Sequence, residues 1–444
     1  MKASIHVGLI GCGTVGSGVV RILTRERDLI ARRLGAQIEI TQIADIDPNR
    51  CHAVHLPKEV FTTDPEQLIH NPSIDIIVEL IGGIHPAREL ILAAVQNGKH
   101  LVTANKALLA LHGEEIFKAA EEQNVEIGFE ASVGGGIPIL RAIREGFSGE
   151  KISEIFGIVN GTCNYILTKM SEEKSDFLEV LKEAQSLGYA EANPAMDVGG
   201  GDSAHKLALL ASLAFGTPVS VHEVYTEGID HLMPLDLSFA ETLGYKMKLL
   251  AITKISSSGE LQVRVHPTLI SKDEILAKVN GVFNAIYIRG ESVGESLFYG
   301  RGAGSMPTGS AVVSDLIDIS RNIIHQSPIR VPPMAYIPSQ RITIPIQPME
   351  ETECCYYLRF RVEDRHGVLA EIAGALGEHQ ISIASVIQQK RKEAEVADDK
   401  RGVHLVMMTH QAIEKNIQAA LAKINQSGFV FEPTVIIRVE EKIN

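Results

Sequence analysis

The chain has 444 residues, 45% of them apolar and 22% charged, with a formal net charge of −13. That length is too great for one hydrophobic core and argues for two or three domains of ordinary globular composition. The acidic balance, without any block of Lys and Arg, argues against the basic stripes that nucleic-acid binding needs.

Five cysteines (Cys12, Cys51, Cys163, Cys354 and Cys355) form no CxxC pair and read as reduced thiols. No apolar run reaches the roughly 18 residues of a membrane span, and LALLASLAF at 207–215 reads as a buried helix. Glycines at 11, 13, 16 and 18 interrupt any signal-peptide core. The expected location is the cytoplasm, with no membrane and no nucleic acid as partner.

In chain order, SIHVGLI (4–10) is a strand, followed at once by GCGTVG (11–16) and an apolar-periodic helical segment to about residue 33. IEITQIAD (38–45), IDIIVEL (74–80), HLVTA (100–104) and VEIGFEA (125–131) are further strands. The helical patterns PARELILAAVQNG (86–98) and GEEIFKAAEEQN (113–124) fall between them. This alternation predicts a Rossmann-type, doubly wound α/β domain over 1–132, completed by a returning segment at about 305–330. From 133 to 304 the pattern changes to α+β, with helices at 174–187 and 202–215 and a hairpin of 246–255 with 260–267. Prolines crowd the stretch 328–348, so 331–348 is read as an extended linker. Residues 349–444 run β-α-β-β-α-β, the ferredoxin-like order, with a charged hairpin loop at 391–400.

Gly11, Gly13 and Gly16 form a GxGxxG motif after a predicted strand and before a predicted helix. In that context Gly11 permits the tight turn, Gly13 lets the backbone approach a pyrophosphate, and Gly16 allows close helix–strand packing. Thr14 and Val15 open the helix whose N-terminus faces the anion. An ordinary glycine-rich turn is the bland alternative. Asp45 ends the second strand, where a carboxylate suits an adenosine ribose and repels a 2′-phosphate. NAD is slightly favoured on that ground and NADP stays open.

The segment GYAEANPAMDVGGGDSAHK (188–206) gathers Glu191, Asp197 and Asp202 around Lys206. Asp202 and Lys206 lie four apart, on one helix face. That spacing also describes a salt bridge on a solvated helix, but the segment AHKLALLASLAF is apolar. A free lysine has a pKa of roughly 10.4, so removing a proton from an alcohol with it costs about 4–5 kcal/mol at pH 7. Giving a proton to a carbonyl oxygen needs no such shift. The constellation favours carbonyl reduction with Lys206 as acid, and the spare carboxylates suit a substrate that carries an ammonium group.

At this point the chain resembles the homoserine dehydrogenase family. The family signature is matched without a gap by Ala184, Gly188, Tyr189, Ala190, Asn193, Pro194, Asp197, Val198, Gly200, Asp202 and Lys206. The resemblance covers essentially the whole chain. It implies NAD(P)-dependent interconversion of L-aspartate 4-semialdehyde and L-homoserine, in the pathway to threonine, methionine and isoleucine. Carried over by position, Lys206 is the proton donor, Asp202 orients substrate and lysine, and Glu191 and Asp197 bind substrate. Lys106, in TANKALLA, lies between cofactor and substrate. FEASVGGGIPIL (129–140) resembles a monovalent-cation loop for sodium or potassium, with the Glu130 side chain and the carbonyls of Val133, Gly135 and Ile137 as ligands. NGTCNYIL (160–167) resembles a segment beside the substrate, and YGRGAGSMPTGSAVVSD (299–315) the returning segment, with Gly302 near the cofactor.

Residues 349–444 resemble an ACT domain, with Asp364, Gly367, Val368 and Leu369 in its Asp-x-x-Gly-Val-Leu turn. Such domains pair and bind amino acids, which implies L-threonine as effector and a homodimer or homotetramer. The three expected domains leave no room in these 444 residues for a fused aspartate kinase. The rival reading is an amino-acid sensor that has lost catalysis; the intact Asp202, Lys206 and Lys106 speak against it.

Overall fold

The first apolar runs build a parallel sheet. In the computed structural model its strands are β1 (Ser4–Ile10), β2 (Gln37–Ala44), β3 (Phe61–Thr62), β4 (Ile76–Glu79), β5 (His100–Thr103) and β6 (Ile127–Gly128). Their order is β3-β2-β1-β4-β5-β6, with every pairing parallel. The order reverses between β1 and β4, the switch point where open α/β sheets bind ligands. The structure describes residues 2–47, 50, 56–327, 329–388, 402–441 and 443; Cys51 and the loop expected at 391–400 lie outside them.

Contacts divide the chain into two units. One comprises Met1–Gly161, Gly201–Val224 and Val282–Ile344; the other comprises Thr162–Gly200, Tyr225–Gly281 and Pro345–Asn444. In the first unit, Ile5, Val7, Leu9, Ile76 and Val78 of the sheet pack with Val19 and Val20 of helix Thr14–Arg25 and Val312 and Leu316 of helix Ser305–His325. Each such side chain, fully buried, contributes roughly 1.5–3 kcal/mol. The two helices cross closely because both carry glycine at the crossing: a Cβ on Gly18 would stand 2.2 Å from the Ser305 carbonyl oxygen, and one on Gly309 3.0 Å from Gly18. The same unit holds an antiparallel sheet of Ile152–Ile158, Phe283–Gly290 and Gly294–Arg301.

The second unit is built on a sheet in which the hairpin Tyr245–Ile255/Leu261–Ser271 continues into Val435–Glu440, Glu353–Glu363, Gly402–Thr409 and Ile383–Gln388. The last four strands, with helices Val368–Glu378 and Glu414–Asn425, complete the expected ferredoxin-like order. Pairing crosses the boundary expected near 349, because Leu261–Ser271 and Val435–Glu440 pair in parallel. The proline-rich stretch is extended, with one 3-10 turn at Pro338–Gln340. In the first unit Ile342 N–H donates to Gly216 and Tyr336 Oη to Ala214; in the second, Leu261 N–H donates to Pro345 and Gln347 N–H to Leu261.

Three local expectations change. The helical segment to residue 33 is two helices, Thr14–Arg25 and Arg27–Leu34, parted at Glu26. The strand expected at 125–131 is only Ile127–Gly128, because Glu130 gives its N–H to Asp315 and opens a 3-10 turn, Glu130–Ser132. The helix expected from 113 starts at Lys106, capped by Asn105, whose side chain accepts from Leu108 N–H.

Candidate active site

β1 ends at the switch point and the glycine loop follows. Gly11 has φ +99°, and a Cβ there would stand 2.8 Å from the Leu80 carbonyl oxygen, after β4. A Cβ on Gly16 would stand 2.2 Å from the Gly11 carbonyl oxygen, whereas nothing lies near one on Gly13. The loop is therefore closed on the protein side and open at Gly13. Helix Thr14–Arg25 begins there without a side-chain cap, so its first N–H groups remain for an anion. Thr14 receives the Ser305 hydroxyl on its carbonyl at 2.6 Å, and Val15 packs on the core. Asp45, buried at the end of β2, accepts from Cys12 N–H at 2.7 Å and Asp47 N–H at 2.9 Å, bracing the loop. A carboxylate has four lone-pair sites, so acceptor capacity remains.

At the carboxyl ends of β4 and β5, Glu79 is wholly buried. It accepts from Ile81 N–H at 2.9 Å, Gly82 N–H at 3.1 Å and the Thr103 hydroxyl at 2.7 Å. Burial pushes its carboxyl above the ordinary range, against these hydrogen bonds. Asn105 donates to Gly83 O at 2.7 Å and caps the helix that Lys106 opens.

That helix, Lys106–Glu122, packs on helix Gly201–Phe215, and their two lysines meet on one carboxylate. Lys106 Nζ stands 3.1 Å from Asp202 Oδ1, and Lys206 Nζ 2.7 Å from Asp202 Oδ2. Asn160 Nδ2 donates to the same Oδ2 at 2.9 Å, and Lys206 Nζ donates to Val159 O at 2.6 Å. Asp202 and Lys206 are 7% and 9% exposed, so this is no solvated-face salt bridge. Burial alone would raise the Asp202 carboxyl. The charges of Lys206 and Lys106 and the hydrogen bonds of Lys206 and Asn160 outweigh it and hold that carboxyl well below the usual range. The pKa of half-buried His205 is lowered, first by burial and then by the charge of Lys106. An ammonium has three donors. Asp202 and Val159 take two from Lys206, which leaves a third.

Glu130 accepts from Leu140 N–H at 2.9 Å and Arg141 N–H at 2.7 Å. Its carboxyl is pushed up to about 7 by burial and by Asp315. The following loop turns through Gly134 and Gly135, at φ +73° and +56°. Gly135 lies against Gly302, and Gly302 against the buried Asn284 amide. Among the described residues no three His, Cys, Asp or Glu side chains are grouped as for a metal.

In the second unit, Asp197 lies within the short helix Ala195–Val198 and Glu191 in the segment that leads to it. Gln185 Nε2 donates to Glu191 O at 3.0 Å, and Cys163 Sγ to Asp197 O at 3.1 Å. In the C-terminal module, Gly367 at φ +91° starts helix Val368–Glu378, with Val368 in the core and Leu369 exposed, just after Asp364. Sequence reasoning did not single out Asn160, Val159, Glu79, Thr103 or Asn105. Asn160 stands in the NGTCNYIL segment already marked, and Asn105 next to Lys106; the others carry no signal of their own.

The class these features define is a dinucleotide-dependent oxidoreductase with a C-terminal ACT module. Among the described residues no helix is long and apolar enough to cross a membrane. Three family models match in succession: homoserine dehydrogenase, NAD binding domain, at 11–130; homoserine dehydrogenase at 138–317; and ACT domain at 356–429. The homoserine dehydrogenase of Pseudomonas aeruginosa is 48% identical over 98% of this chain and 99% of its own. The crystal structure of a homoserine dehydrogenase from Thiobacillus denitrificans superposes with TM-score 0.92 at 45% identity, covering 99% of this chain and 98% of that one. A hyperthermophilic archaeal homoserine dehydrogenase in complex with NADPH superposes with TM-score 0.61 at 28% identity, covering 71% of this chain and 98% of that one. The chain belongs to the homoserine dehydrogenase family.

Proposed function

We propose that this enzyme interconverts L-aspartate 4-semialdehyde and L-homoserine with Lys206 as the proton donor, in the pathway to threonine, methionine and isoleucine. The observation that carries the proposal is Lys206 itself: a buried ammonium held at two of its three donors. The nicotinamide, when bound, supplies or accepts the hydride. As the carbonyl carbon is reduced its oxygen gains charge, and Lys206 Nζ gives it a proton. In the reverse direction Lys206 must first be the neutral amine, which then receives the hydroxyl proton as the hydride leaves for the nicotinamide. Asp202 keeps both lysines in place, and Lys106 adds positive charge beside the developing alkoxide. Glu191 and Asp197 bind the substrate, Glu191 taking its ammonium group; the family signature supports these roles.

Gly11, Gly13, Thr14, Val15 and Gly16 would hold the pyrophosphate, and Gly302 would lie near the cofactor. The open space at Gly13 and the uncapped helix supports this. Asp45 favours NAD through a ribose hydroxyl, with NADP as the other choice. Glu130 and the carbonyls of Val133, Gly135 and Ile137 would hold a sodium or potassium ion, which would tie the loop to the helix that follows. The ACT turn at Asp364, Gly367, Val368 and Leu369 is proposed to bind an amino-acid effector, L-threonine, in a homodimer or homotetramer.

The test is oxidation of L-homoserine followed at the nicotinamide absorbance, with NAD and NADP in parallel, with and without L-threonine. Turnover that falls with threonine supports both readings. Folded protein that binds threonine but turns over with neither cofactor supports the sensor instead.

A further inference from the structure

The second unit contains a guanidinium whose partners come from both of its parts. Arg438, in strand Val435–Glu440, is 1% exposed. On the module side its Nε and Nη2 donate to Glu414 at 2.9 and 2.7 Å. On the other side Nη1 donates to Glu227 Oε2 at 2.6 Å, Nη2 to Tyr225 Oη at 3.0 Å, and the guanidinium lies 5.0 Å from the Tyr225 ring centroid. Every donor with a partner is charge-assisted or aromatic-backed, so the group is rigid.

Glu227 does not end the chain of contacts. Its N–H donates to Val265 O at 2.8 Å, which fixes it to strand Leu261–Ser271. The next residues are pressed on the glycine hinge of the substrate signature. Ile229 N–H donates to Val198 O at 2.8 Å; a Cβ on Gly228 would stand 2.3 Å from that oxygen, and one on Gly200 3.3 Å from Glu227 O.

We infer that Arg438 and Glu227 are positioning residues for substrate: through them the ACT module sets where the Val198–Gly200 hinge lies, and so where Glu191 and Asp197, the acids before it, are presented. Neither residue touches the reacting atoms in this account. The inference rests on the substrate role proposed for the 188–206 segment, and it holds whether or not threonine is the effector.

The test compares Glu227→Gln with Glu414→Gln in the full chain, after wild-type turnover of L-homoserine has been established. Both remove one carboxylate from Arg438, but only Glu227 connects to the hinge. KM for L-homoserine, cofactor dissociation constant and Tm are measured for each. The expected result is a KM for L-homoserine raised fivefold or more in Glu227→Gln, with cofactor affinity within twofold. In Glu414→Gln, Tm falls and KM stays within twofold. An unchanged KM in folded Glu227→Gln overturns the inference. So does an equal KM rise in both variants that follows Tm, which marks a merely structural role. Absence of wild-type turnover is a failure of the proposed function and is seen before either variant is made.

Discussion

At the level of single residues, one carboxylate pairs with two lysines. Asp202 is ionised at any working pH, since its carboxyl is held below the usual range, and it fixes Lys206 at 2.7 Å. Replacing Lys206 by Met removes the donor and keeps much of the bulk. Turnover should fall by roughly 10²–10⁴-fold, the usual worth of a positioned acid, with cofactor affinity within twofold by fluorescence titration. A smaller loss, or a loss in which cofactor binding disappears too, counts against the assignment. Asp202 and Lys206 were legible because helix spacing brings positions four apart together. Asn160 and Val159 reach the same cluster from a loop far away in sequence, and no local pattern announces such a contact.

At the scale of the element, the crossing of helices Thr14–Arg25 and Ser305–His325 is set by Gly18 and Gly309. A methyl on Gly18 meets the Ser305 carbonyl oxygen at 2.2 Å, and backbone cannot rotate away as a side chain can. Gly18→Ala should lower stability by about 1–3 kcal/mol, the usual cost of overpacking, read as a lower Tm, and weaken cofactor binding. The strand Tyr245–Ile255 carries a different tension. Lys248 is buried and donates to Val279 O, Asn164 and Asn280, and burial pushes its pKa down to about 8. The unfolded chain keeps that proton up to about 10.4, so between those values it binds more protons than the folded one. Stability from this group therefore rises with pH. From pH 7.5 to 9.5, wild type should gain about 2 kcal/mol over Lys248→Met, measured by denaturant unfolding; no gain, or a loss, contradicts the burial argument. Strands and helices with strong period were legible. The break at Glu26 and the early start at Lys106 were not, because they depend on single capping and turn residues.

At the scale of the whole molecule, the ACT module shares a sheet with the hairpin that precedes it. Strand Leu261–Ser271 pairs with Val435–Glu440, and Arg264, 1% exposed, is paired with Glu440. Ending the chain at residue 348 exposes that strand edge and leaves Arg264 without its carboxylate. Breaking a buried pair costs about 3–5 kcal/mol, a large part of the 5–15 kcal/mol that holds a typical domain. The shortened chain should be insoluble or melt far below the full one in circular dichroism; a soluble, active product with unchanged Tm contradicts this. The β-α-β-β-α-β order of the module could be read from period and turn residues. Its attachment could not, since parallel pairing between segments so far apart leaves no mark in either sequence.

Lys206 is proposed to move the proton in homoserine oxidation and its reverse. The most direct measurement is the steady-state rate of L-homoserine oxidation by wild type and Lys206→Met side by side, with NAD and NADP, in protein shown by circular dichroism to be folded. Turnover is expected in wild type with at least one cofactor, with a loss of about 10²–10⁴-fold in the variant. Wild-type turnover that survives the substitution within tenfold contradicts it.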